Sequence, residues 1–88
     1  MEEVNFSVFV KLLRDVYEDP SLIEEKQESL VSMMDGMMAS VPEGFEGMAA
    51  MIKTHISNAF KFKSPNVQKF ELESGLIKLN TYCRKLGV

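Results

Sequence analysis

Apolar residues recur at helical spacing near the start of the chain. Phe6, Phe9, Val10, Leu13 and Tyr17 stand at i, i+3, i+4, i+7 and i+11, one stripe of an α-helix. A strand pattern competes, because Val4, Phe6, Val8, Val10 and Leu12 alternate with other residues. Phe9 breaks that alternation, and only the helical stripe continues through Leu13 and Tyr17. A helix is therefore expected, with Asn5 as the N-cap whose side-chain oxygen accepts an N–H of the first turn.

Asp19-Pro20 marks the first boundary, since proline disfavours a helical residue before it and fits the first turn of a new helix. Asp19 is the expected cap of that second helix, and Glu24, Glu25 and Glu28 load its early turns with the charge the helix dipole prefers. Its stripe is Ile23, Leu30, Met34, Met37 and Val41, widened by Met33 and Met38. Gly36 weakens it by about 1 kcal/mol relative to alanine, and marks a close approach or a local bend.

Pro42-Glu43-Gly44 ends the second helix and turns the chain. Phe45, Met48, Ala49, Ile52, Ile56, Ala59 and Phe60 then give a wide apolar face of helical period. Ser64-Pro65 opens a fourth helix with the stripe Leu72, Leu76, Leu79, Cys83 and Leu86. Gly87 is placed to end it in the left-handed conformation, with Arg84 and Lys85 in the last turn. Glu73-Ser74-Gly75 is its weak point, where a bend or late start is expected. Four helices joined by short connections predict an all-α fold, a small antiparallel bundle forming a single helical domain over residues 1–88.

Composition supports folding: 45% hydrophobic residues with 26% charged offer enough apolar surface to offset the entropy of ordering. No uncharged run approaches the ~20 apolar residues of a membrane-crossing helix, so no membrane is expected as a partner. The acidic opening Glu2-Glu3 is unlike the basic start of a cleavable leader. One cysteine, Cys83, excludes an internal disulfide and fits a reducing compartment, so a cytoplasmic protein is expected. One cysteine and one histidine, His55, make a zinc site within one chain improbable, and no metal or other cofactor is expected.

The net charge of −3 hides a division. Residues 1–52 carry three basic groups against eleven acids, a balance of −8, whereas residues 53–88 carry seven against two, a balance of +5. The commoner consequence is that one half folds against the other; the sharper one is a two-signed surface for self-association or partner steering.

Six of the seven methionines, Met33, Met34, Met37, Met38, Met48 and Met51, fall within nineteen residues on the second and third helices. Flexible thioethers fill a hairpin core readily, and equally line a groove that repacks around apolar partners. The arc spanned by residues 33, 34, 37 and 38 exceeds what one small core buries. The Met-rich face is therefore the expected partner-binding surface, with a homodimer as the expected assembly. Thioethers are also soft copper(I) ligands, but no neighbouring histidine supports that chemistry.

Lys53, Lys61, Lys63 and Lys69, interleaved with Phe62, are candidate nucleic-acid contacts, although a solvated cationic helix end is the commoner cause and the pI of 5.1 is low for such a role. Conversely, the acidic stretch Glu18, Asp19, Glu24, Glu25 and Glu28 is placed to block a basic groove on a nucleic-acid-binding protein. Gly44-Phe45-Glu46-Gly47 has the spacing of a GXXG phosphate clamp, but Glu43 and Glu46 repel phosphate and the turn reading is preferred. Nothing supports catalysis: there is no nucleophile elbow and no phosphate-binding loop, and Cys83 lies on a core stripe. The expected function is a non-enzymatic protein–protein interaction module that self-associates, with a nucleic-acid-linked role as the alternative.

Overall fold

Asn5 opens the first helix as its sequence requires, accepting the Val8 N–H on its side-chain oxygen at 3.2 Å. The structure, a computed structural model, describes residues 4–88; Glu2 and Glu3, on which the leader expectation rests, lie outside them. Helix α1 spans Phe6–Glu18, so the helical period prevails over the alternating one.

The Asp19 carboxylate accepts from both the backbone N–H and the hydroxyl of Ser21, at 3.2 and 2.6 Å. This tightens Pro20–Leu22 into a 3₁₀ turn, and α2 (Ile23–Ala39) begins three residues beyond the expected proline. Val41, expected on the α2 stripe, lies past its end and is half-buried. The following turn is held by the Glu46 carboxylate, which accepts the Gly44 N–H at 2.7 Å. Helix α3 spans Glu46–Lys61, and α4 spans Pro65–Leu86 without a break at Gly75. Gly87 ends α4 at φ 79°, a left-handed conformation costly for residues with a Cβ.

The helices form an all-α bundle in which each packs on its neighbours in chain order and α1 closes against α4. The α3–α4 contact is the most extensive. Cross-helix contacts define the antiparallel sense. Gln68 donates to the Ala59 carbonyl and His55 meets Glu71 along α3–α4; Tyr17 bonds Glu73 and Phe6 stacks near Tyr82 along α1–α4.

Phe9, Leu13 and Val16 of α1 meet Ile23, Leu30, Met34 and Met37 of α2 and Ala49, Ile52, Ile56 and Ala59 of α3 in the core. The α4 contribution is Leu72, Gly75, Leu79, Tyr82 and Cys83. This corrects the expected α4 stripe, since Leu76 and Leu86 are only half-buried. Helix α4 is rotated to seat Gly75 against α3 and Tyr82 between Phe6 and Phe45. Those ring centroids lie 5.7 and 5.4 Å away, the latter edge-on, as aromatic quadrupoles favour.

Candidate protein-binding surface

The six clustered methionines do not form one face. Met34 and Met37 point into the core, Met33, Met38 and Met48 are half-buried against it, and Met51 alone of the group is exposed. The wide apolar arc of α2 is largely covered within the chain, because α1 lies on one side of it and α3 on the other.

Most exposed large apolar residues lie instead on the hairpin of α3 and α4, with Val8 on α1 and Val88 beyond α4 standing apart. Phe70 is 64% exposed, Ile77 58%, Met51 50%, Phe62 42% and Val67 39%. Val67, Phe70 and Ile77 are spaced by three and seven residues, so they fall on one side of α4 with Ser74 between them, turned away from Leu72, Leu79 and Cys83. A second apolar stripe therefore runs along α4, opposite the first. Sequence reasoning passed over it, although the spacing of 67, 70 and 77 was itself the signal.

The polar groups around the stripe are arranged unequally. Lys78 and Lys85 lie beside it on the helix, whereas Lys63 lines a cleft with Pro20, Glu24 and Gln68, and Arg84 lines a groove against α1. Both acids of α4 bond to a neighbouring helix, and exposed Glu73 lies one turn from both Phe70 and Ile77. Glu71 turns towards α3, its carboxylate 2.8 Å from His55 Nδ1 and 3.5 Å from the Asn58 amide. Glu73 turns towards α1 and accepts the Tyr17 hydroxyl at 3.0 Å. That bond, and then the carboxylate charge, raises the Tyr17 phenol above its ordinary 10.0.

Lys53, Lys61, Lys63 and Lys69 are all exposed, and among the described residues none has a carboxylate within 4 Å. They are not gathered into one patch. Lys69 sits over the Tyr17 ring at 5.2 Å on the α1 side, Lys61 over Phe62 at 5.8 Å, and Lys53 lies two turns, about 12 Å, back along α3. Glu18, Asp19, Glu24, Glu25 and Glu28 are likewise exposed around the 3₁₀ turn and early α2.

His55 and Glu71 bridge α3 and α4 beside a shallow apolar dish of about 290 Å³ lined by Ala50, Met51 and Thr54. Thr54 donates its hydroxyl to the Ala50 carbonyl within its own helix. A second groove, about 380 Å³, runs between α1 and α4 past Val10, Arg14, Asn80, Cys83 and Arg84. The Cys83 thiol is pushed above its ordinary range by burial. Among the described residues no three His, Cys, Asp or Glu side chains gather to hold a metal, and no helix is long and apolar enough to cross a membrane. No known protein family, curated protein or solved structure matches the chain.

Proposed function

We propose that this chain is a non-enzymatic protein–protein interaction module that presents the outer side of α4 to a protein partner. The carrying observation is the exposed stripe Val67, Phe70 and Ile77 on a helix whose opposite side already supplies the core. Val67, Phe70 and Ile77, the three residues that share one side of α4, leave on the order of 300 Å² of apolar surface uncovered. Patches of that size on a monomer are often functional. Of the Met-rich group Met51 alone is exposed, beside the dish lined by Ala50, Thr54 and His55, while Met34 and Met37 serve the fold.

A nucleic-acid role for Lys53, Lys61, Lys63 and Lys69 draws support from their freedom from carboxylates, but Lys69 over Tyr17 stands apart from Lys61 over Phe62, which weakens it. Steep loss of binding with salt would mark that alternative, because each neutralised phosphate releases counterions.

The test is affinity capture from the native host with the wild-type chain and with the Phe70→Ser/Ile77→Ser double variant. Proteins retained by the first and absent from the second are expected. Identical sets, or nucleic acid as the retained species, would contradict the proposal.

A further inference from the structure

The groove between α1 and α4 gathers hydrogen-bond donors that the fold leaves unused, and from them we infer a binding site for a small amphiphilic anion, an alkyl or aryl carboxylate or phosphate. The site shares no residue with the Val67, Phe70 and Ile77 stripe and goes beyond the interaction reading above.

Antiparallel packing makes the groove. Ser7, Val10, Lys11 and Arg14 fall on one side of α1 and meet Asn80, Cys83 and Arg84 of α4. Its floor is apolar, with Phe6 and Val10 half-buried and Cys83 buried. The left-handed turn at Gly87 returns the Val88 N–H to the Cys83 carbonyl at 3.0 Å and sets Val88 at the end beside Phe6. At about 380 Å³ the groove has the size of a small-molecule cleft, in which an apolar lining carries a few convergent polar groups.

The lining selects the sign of the ligand. Lys11, Arg14 and Arg84 stand along the groove, and no aspartate or glutamate lines it. Lys11 already pairs with Asp15 at 3.3 Å. Among the described residues neither Arg14 nor Arg84 has a carboxylate within 4 Å. Among the same residues, Arg14, Arg84, Ser7 and Asn80 make no side-chain hydrogen bond within the chain. Glu18, one turn beyond Arg14, and Glu73, two turns before Asn80, lie outside the lining. A guanidinium offers five N–H donors and no acceptor, in a fork that matches carboxylate and phosphate oxygens. Two of them on one cleft, with a single sign of charge around it, concentrate anions there. A bare inorganic ion would leave Phe6 and Val10 uncovered, so the ligand carries an apolar body as well as an anionic head.

The experiment is an amide NMR titration of the full chain with decanoate and decyl phosphate below their micelle-forming concentrations. Decanol, decyltrimethylammonium and inorganic phosphate serve as parallel probes. At least one of the two anionic amphiphiles is expected to shift Ser7–Arg14 and Asn80–Arg84, and the tighter of them names the head group. Each parallel probe is expected to bind about tenfold more weakly or worse, for want of the charge-assisted hydrogen bonds or of the apolar contact. Arg14→Gln/Arg84→Gln is expected to lose about tenfold or more in affinity with its helical circular dichroism unchanged, and Phe70→Ser/Ile77→Ser to bind as wild type. Equal binding of decanol or decyltrimethylammonium removes the anion, and equal binding of inorganic phosphate removes the apolar body. Shifts confined to other residues, no shifts at all, or an unaffected double-arginine variant overturn the site. So does binding tightened about tenfold by Glu2→Gln/Glu3→Gln, which would assign the groove to the chain's own acids.

Discussion

Gly75 of α4 lies so close to Ile56 of α3 that a Cβ built on it would stand 3.3 Å from Ile56 Cγ1 and 3.5 Å from His55 Cβ. Glycine in a helix interior is unfavourable by about 1 kcal/mol relative to alanine, and here that cost is offset by the near approach of two helices. Gly75→Ala is expected to change stability by less than about 1 kcal/mol, propensity gained against a slight displacement of Ile56. Gly75→Leu, which forces the seam apart, is expected to lose more than about 2 kcal/mol in thermal or urea unfolding.

The division among the methionines is testable in the same way. Met37 is fully buried and Met51 half exposed. Met37→Ala is expected to cost about 2–5 kcal/mol, the range for core truncation, and Met51→Ala less than about 0.5 kcal/mol, as for surface substitutions. Equal effects would mean that the two share one environment.

Helix number, the Asn5 cap, the Asp19-Pro20 and Ser64-Pro65 boundaries and the Gly87 terminus were legible because each follows from local backbone chemistry. The rotation of α4 was not. Its sequence carries apolar residues on two sides, and choosing Leu76 over Gly75 for the core requires knowing that α3 approaches closely enough to exclude a side chain. The Met-rich surface was misjudged for a related reason: apolar arc measured on α2 alone takes no account of α1, which covers part of it. His55 and Glu71, sixteen residues apart, become partners only through the antiparallel packing of α3 and α4.

Alkaline titration checks the contacts of the two tyrosines. Burial raises the Tyr82 phenol, and hydrogen bonding to Glu73 raises that of Tyr17, both from 10.0. The folded chain thus holds these protons more tightly than the unfolded chain. The corresponding stabilisation is complete below pH 10 and is lost as pH rises through the folded values. Ultraviolet titration is expected to place both phenolates above 10, and Glu73→Gln to return Tyr17 towards 10 while leaving Tyr82 in place. An unmoved Tyr17 would show that the Glu73 contact does not form.

Cys83 reports on the same core. Only 8% exposed, and with its thiol raised by burial, it is expected to react slowly with a disulfide reagent in the native chain and rapidly in denaturant. Native labelling as fast as that of the denatured chain would place α4 in a different rotation.

The central claim is that Phe70 and Ile77 serve binding and not folding, and urea denaturation of the isolated Phe70→Ser/Ile77→Ser variant tests it most directly. Both residues are more than half exposed on the side of α4 opposite the core. Unfolding free energy within about 1 kcal/mol of wild type is expected, as for surface positions. A loss of about 4 kcal/mol or more, the scale of removing two core side chains, would contradict the account by showing that the stripe belongs to the fold.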